Sequence, residues 1–187
     1  MLGTAAMMLK LYRTTERVTE YWEAWEDTPT RVIVHWGKIG EKGDSRKVSV
    51  KSGTRPSGII KREAEPLRAA GFKTRRPEEH AQIVIQYKLE GWGSGKDHDR
   101  RVQVENLMNE CLGWTGLGHC DGGDIGSGTM NVFCDVVDAA VAALIVVSDL
   151  RENGQLEGAV IAARERNGDD EYKVLWPEGF AGTFDLL

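Results

Sequence analysis

The stretch Val32-Ile33-Val34-His35-Trp36 sits between the turn Asp27-Thr28-Pro29-Thr30 and a run of glycines at 37, 40 and 43. Three β-branched residues in succession lose side-chain freedom in a helix and pack well on a pleated surface, so this segment is a strand. Pro29 sets the turn before it, and "GKIGEKGD" after it is a turn or hairpin tip. The flanks keep a period of two. "VTEYWEAWED" places Tyr21, Glu23 and Trp25 on one face and Trp22 and Ala24 on the other, and "SRKVSVKS" puts Val48 and Val50 together. The first half is therefore short strands. One helical patch follows, "IIKREAEPLRAAGF", with Gly71 as its stop. Pro66 lacks an N–H, so a break in the helix, or a short helix starting at Pro66, is expected there.

"KTRRPEEH" is charged, carries Pro77 and falls where the charge changes sign. Residues 1–80 hold 16 Lys and Arg against 11 Asp and Glu; residues 81–187 hold 8 against 18. The sequence thus predicts one domain over 8–75, a linker over 76–80 and a second domain over 81–187. A basic first half can approach a polyanion such as DNA, and an acidic second half suits a basic protein partner. No run of eighteen apolar residues occurs, so no membrane partner is expected. The opening "MLGTAAMMLKLY" lacks the basic start of a signal peptide, and "MLGTAA" reads as a loose end or a start-site artefact. Cys111, Cys120 and Cys134 are odd in number and have no CxxC spacing, which suits buried thiols in a reducing cytoplasm.

The second half reads as strand ("AQIVIQYKL"), loop ("EGWGSGKDHD"), helix ("RRVQVENLMNECLGW"), strand ("GLGHC"), strand ("TMNVFCDVV"), helix ("DAAVAALIVVSDLREN") and two strands around the turn "NGDD". In the first helix Val104, Leu107, Met108, Cys111 and Leu112 form the apolar face. Asp138 caps the second and Gly154 stops it. Strand–helix–strand–strand–helix–strand is the split βαβ, or ferredoxin-like, order. The fold class expected is α+β.

Chemistry is sparse. "GWGSGK" is no P-loop, because Glu90 stands where a glycine is required and Asp97 where Ser or Thr is required. The glycine-rich loop Gly116–Gly128 gathers His119, Cys120, Asp121 and Asp124. An EF-hand from Asp121 fails at Val132, and zinc lacks four spaced ligands. No GxSxG, CxxC or HExxH occurs, so no catalytic residue, metal or cofactor is assigned. An enzyme using the His119–Asp124 loop stays as an alternative. At the strand end, Trp36 can stack on a sugar or base while Lys38, Lys42, Arg46 and Lys47 neutralise phosphates, with Arg31, Arg75 and Arg76 adding charge. The competing reading puts Trp36 in the core with Val32 and Val34, the lysines merely keeping a hairpin soluble.

The run "YWEAWEDTPTRVIVHWGKIGEKGDSRKVSV", followed by "KREAEPLRAAGFKT", resembles the WGR domain over residues 8–75. The shared marks are Tyr21 and Trp22, the turn Trp36-Gly37-Lys38-Ile39-Gly40 with Gly43 after it, and a closing helix ending in Gly71-Phe72. The resemblance implies a small antiparallel sheet with a helix. That family occurs in DNA-damage-dependent poly(ADP-ribose) polymerases and in bacterial proteins. In the polymerases it binds DNA near strand breaks, its tryptophan on the ribose at the broken end. By resemblance Trp36 and Lys38 take those positions, with lysine where the family carries arginine. Lysine keeps the charge and loses the planar fork. Nothing here resembles a polymerase catalytic domain. "CDGGDIGSGTMNVFCDVVD" looks like small bacterial ferredoxin-like domains of unknown function. The expectation is a non-catalytic WGR-domain protein that binds nucleic-acid ends or acts as an adaptor. The alternatives are an immunity- or stress-type protein acting through its acidic second domain, and the enzyme named above.

Overall fold

Alternation over residues 8–49 becomes four paired strands. In the computed structural model, which describes residues 7–168 and 171–186, these are β1 (Met8–Thr14), β2 (Thr19–Thr28), β3 (Arg31–Lys38) and β4 (Asp44–Ser49). They form an antiparallel sheet in chain order. The stretch "MLGTAA" lies outside the described residues. Helix α1 (Pro56–Ala69) follows. One sheet face carries Leu11, Trp22, Ala24, Val32 and Val34, and α1 presses Ile59, Ile60 and Ala64 onto it. Each large aliphatic side chain buried this way contributes about 1.5–3 kcal/mol.

The break expected at Pro66 does not occur; α1 runs through it. Pro66 is exposed, so water can reach the carbonyl that its missing N–H leaves without a partner. Ile60 and Ala64 before it and Leu67 after it all pack on the sheet, which holds the helix together. Gly71, at φ +93°, ends it, and the Phe72 amide bonds back to the Leu67 carbonyl at 3.0 Å. Phe72 enters the core, and Lys73 pairs with Tyr12 of β1 through two 2.8 Å backbone bonds.

The chain divides into two compact units after Arg75. The second contains β5 (Ala81–Lys88), α2 (Gly95–Trp114), β6 (Gly118–Gly126), β7 (Thr129–Val136), α3 (Ala139–Glu152), β8 (Ala159–Glu165) and β9 (Lys173–Trp176). Residues 76–80, expected as a linker, form a short 3-10 turn at Pro77–Glu79 that leads into β5. The sheet order is β6-β7-β5-β8-β9, antiparallel at every junction. Both units combine helices with antiparallel sheet, and the chain is α+β.

Helices α2 and α3 pack together and against the sheet. Val104, Met108 and Leu112 of α2 and Ala142, Val146 and Leu150 of α3 are buried with Ile83, Ile85 and Tyr87. The other face of β5 is also buried, with Val84 and Gln86, which is why "AQIVIQYKL" is nearly continuous in apolar residues. Gln86 donates to Asn131 Oδ1 and to the Asp185 carbonyl at 2.9 Å each.

Two expected loops are ordered instead. The second half of "EGWGSGKDHD" is helix: α2 starts at Gly95, with Ser94 and Asp97 forming a capping box. Asp97 accepts from the Ser94 amide at 2.7 Å, so the helix N-terminus is filled by its own side chain. Those Ser94 hydrogen bonds hold the Asp97 carboxyl below its usual range. "GLGHC" does carry a strand, β6, but the connection expected at "DGGDIGSG" mostly continues it as far as Gly126, with an irregularity at Asp121 and a two-residue turn at Ser127-Gly128. Asp138 caps α3 by accepting from the Val141 amide at 3.0 Å. The turn expected at "NGDD" has Asp169 and Asp170 outside the described residues. Among the described residues no helix is long and apolar enough to cross a membrane.

Candidate functional site

Trp36 stands on the sheet face that carries Val32 and Val34, directly across from Trp22 on β2. It packs against the first unit's core and stays half-buried, because its strand end lies beyond the reach of the helix-covered centre. Its ring lines a cleft of about 500 Å³ together with Trp22, Leu67 and Phe72. Both readings of Trp36 thus meet in one position: a core face inward and a cleft wall outward.

The cleft carries mixed charge. Arg13, Lys38 and Lys42 line it against Glu20, Glu41 and Asp44. Arg13 is held by Glu20, at 3.0 Å from Nε and 2.7 Å from Nη2, and its guanidinium sits 4.8 Å from the Phe72 ring centre. Lys38 and Lys42 are exposed, and neither has an ionic partner among the described residues. Arg46 shares the Trp36 face, where Glu63 of α1 pairs with it. Lys47 is cross-strand from Ile33, so it points to the opposite face. The structure therefore brings Trp36, Lys38 and Lys42 together, places Arg46 beside them in an ion pair, and separates Lys47. Arg31 pairs with Asp27, Arg75 lies 5.6 Å from the Tyr12 ring centre, and Arg76 pairs with Glu78 and Glu79.

Beneath the cleft runs a buried polar chain that period-two reading did not single out. Glu23 and His35 are cross-strand partners, and His35 Nδ1 lies 2.7 Å from Glu23 Oε1. His35 Nε2 lies 2.9 Å from the Tyr21 hydroxyl. Lys10 Nζ sits 3.2 Å from Glu23 Oε2, close enough for charge pairing although off the hydrogen-bonding direction. Tyr21, Glu23 and His35 are 1–3% exposed. With Nδ1–H donating to the carboxylate, Nε2 accepts from Tyr21, whose oxygen in turn accepts from the Gly43 amide. Burial pushes the Tyr21 phenol up to about 12, with the Glu23 charge adding to it and the Gly43 bond opposing it.

A carboxylate, imidazole and hydroxyl in line is the order used to activate a nucleophile. Here the hydroxyl is sealed under the hairpin tip by Gly43, so the chain braces the tip. A Cβ on Gly43 would run into the Tyr21 hydroxyl and the Trp36 carbonyl, and one on Gly37 would meet Gly43 Cα at 2.9 Å. Gly37 and Gly43 are thus required for close approach, with the Tyr21 ring laid across them. The readable signal was Tyr21 and Glu23 on one face of β2, and His35 on the face of β3 opposite Val32 and Val34.

The alternative site, His119 to Asp124, is drawn out along β6. His119 and Cys120 are consecutive strand residues and point to opposite faces, so they form no dyad. His119 is exposed across from Asp135, whose carboxylate binds Arg166 at 2.5 Å. Asp124 accepts from Asn131 at 2.7 Å. Among the described residues no three His, Cys, Asp or Glu side chains cluster as a metal site. No protein-family model, curated protein or solved structure matches this chain.

Proposed function

We propose that the first unit is a WGR-type module that binds the end of a nucleic-acid strand, in a protein that acts as a non-catalytic adaptor. What supports this is the half-exposed Trp36 ring on a cleft wall beside Lys38 and Lys42, two exposed cations with no ionic partner among the described residues. A terminal base or sugar stacks on the ring, worth about 1–3 kcal/mol per base. The two ammonium groups take a terminal phosphate. Glu20, Glu41 and Asp44 offer acceptors to sugar hydroxyls and repel a long phosphate track, which favours a chain end over continuous duplex. Lys38 supplies a point charge where a fork would fix one orientation. The strand order β6-β7-β5-β8 supports reading the second unit as a ferredoxin-like domain extended by β9. A cytoplasmic setting suits this reading, with the three cysteines as thiols.

The test is an anisotropy titration at low salt with 5′-phosphorylated nicked DNA and an uninterrupted duplex. The nicked form binds more tightly. Lys38→Glu with Lys42→Glu weakens binding about tenfold or more, and Trp36→Ala weakens it by about five- to a hundredfold. Equal affinity for both DNAs, or binding indifferent to the lysine reversals, ends the proposal. The lysine variant matters most, because both residues are exposed and their loss leaves the fold intact.

A second reading starts from Trp92 and Leu144, 84% and 73% exposed on the acidic second unit. Apolar anchors within acidic surroundings fit a basic protein partner. Crosslinking that captures a basic protein with the native chain and loses it with Trp92→Ser supports that reading; capture unchanged by the substitution removes it.

A further inference from the structure

The three cysteines, spread over 24 positions of sequence, converge where α2 covers β6 and β7. Cys120 of β6 and Cys134 of β7 are direct cross-strand partners. Cys134 is fully buried, whereas Cys120 is part-exposed at the sheet edge. Cys111 approaches the same spot from α2. The Cys120 amide donates to Asn109 Oδ1 of α2 at 3.1 Å, which fixes the backbone there.

We propose that Cys120 and Cys134 form a peroxide-sensitive dithiol, with Cys120 as the attacking sulfur and Cys134 as the resolving one. The geometry permits the bond. Opposed residues of antiparallel strands have Cα atoms about 4.5–5.5 Å apart, inside the disulfide range of about 4.4–6.8 Å. Their Cβ atoms must close slightly, and the irregularity at Asp121, immediately after Cys120, gives β6 the freedom to do so. Accessibility sets the order of events: a small hydroperoxide reaches the sheet edge before the buried partner. Thiol chemistry points the same way. The Cys134 thiol donates to Cys120 and holds it below the usual cysteine range, prevailing over burial, while Cys134 is raised.

The Cys120 thiolate attacks the peroxide; an S–O bond forms, the O–O bond breaks, and the departing oxygen takes a proton. Cys120 is then a sulfenic acid. The Cys134 sulfur attacks it, an S–S bond forms, and the hydroxyl leaves as water with the Cys134 proton. Two thiols and one hydroperoxide give one disulfide, one alcohol or water, and one further water. A dithiol reductant reverses the outcome.

The test exposes the reduced full chain to a small excess of hydrogen peroxide and maps the products without reductant. No Lys or Arg lies between Arg101 and Arg151, so trypsin leaves all three cysteines on one peptide. An Asp-specific protease cuts between Cys120 and Cys134. The expected product is an intramolecular Cys120–Cys134 link, with free thiols falling from three to one. Cys111→Ser keeps the link. Cys134→Ala converts it into a Cys120 sulfenic acid that dimedone traps. Cys120→Ser leaves the remaining thiols unoxidised at the same dose. Three results overturn the proposal: a link through Cys111, oxidation as fast in Cys120→Ser as in the native chain, or no thiol lost at all. Circular dichroism of each variant separates a failed fold from a failed reaction.

Discussion

The β3–β4 hairpin and the β6–β7 hairpin are both short glycine-rich runs between strands. In the first, five residues connect Lys38 to Asp44, and Gly43 leaves room for the Tyr21 hydroxyl. In the second, Ser127 and Gly128 turn the chain in two residues, at φ +50° and +82°. That is a twist-matched tight turn of the kind short hairpins favour. A Cβ on Gly128 would meet nothing closer than 3.9 Å. One glycine answers a demand for space and the other a demand for backbone conformation. Each hairpin touches buried polar groups, Tyr21 and His35 under the first and Asn131 and Gln86 under the second; among the described residues the first alone presents an aromatic ring with cations in a cleft.

Breaking the brace should have the largest effect. Glu23→Ala leaves the His35 Nδ1–H without its buried acceptor, Lys10 without its counter-charge and a cavity behind, and should cost about 3–5 kcal/mol. Urea denaturation checks this, and a loss below about 1 kcal/mol would show that the chain is no brace. Next, Gly43→Ala should cost about 3 kcal/mol, since the added methyl meets backbone that cannot swing away. Gly128→Ala should cost less, about 1–2 kcal/mol, as left-handed backbone strain alone. Equal losses at the two glycines would erase the distinction between the hairpins.

Alkaline pH probes both units through their phenols. Tyr21 and Tyr87 are each pushed up to about 12 by burial, and Tyr12 and Tyr172 are also raised. A raised folded pKa means that the charged form is disfavoured in the fold. The stability involved is whole below the unfolded value of 10.0 and is lost as pH rises through about 12. The native protein should show little phenolate absorbance near pH 10, then unfold between there and 12. Tyr21→Phe should shift only the first unit's transition, and phenolate appearing freely at pH 10 would contradict the burial. The smallest effect has the opposite sign. Ser127→Asn favours the positive φ and should raise stability by a few tenths of a kcal/mol, visible as a higher denaturation midpoint.

How far the sequence could be read follows from the same residues. Strand periodicity over 8–49 was legible because one face of the first sheet is packed by α1, β5 was legible as a short apolar run buried on both faces, and the caps Asp138 and Gly71 speak for themselves. Pro66 misled, because composition does not say which way a proline faces. "DGGDIG" misled because glycine density signals a turn, whereas here the strand continues and a Cβ on Gly123 would strike the Asn131 carbonyl of the neighbouring strand. At the site, the Trp36 turn with Lys38 and Lys42 was readable from local sequence. The separation of Lys47 and the capture of Arg46 by Glu63 depend on cross-strand register and on a helix 17 residues away.

The pairing of Lys73 with Tyr12 has a consequence for assembly. β1 and β4 are the outer strands of the first sheet, and a bare outer strand is a template on which a second chain can add itself. The returning segment occupies the middle of β1, interrupting the row of groups that such an addition needs. The other side is guarded differently: Asp44, Arg46 and Lys47 put exposed charges of both signs along β4. A chain clasp on one side and charge on the other discourage this small sheet from growing.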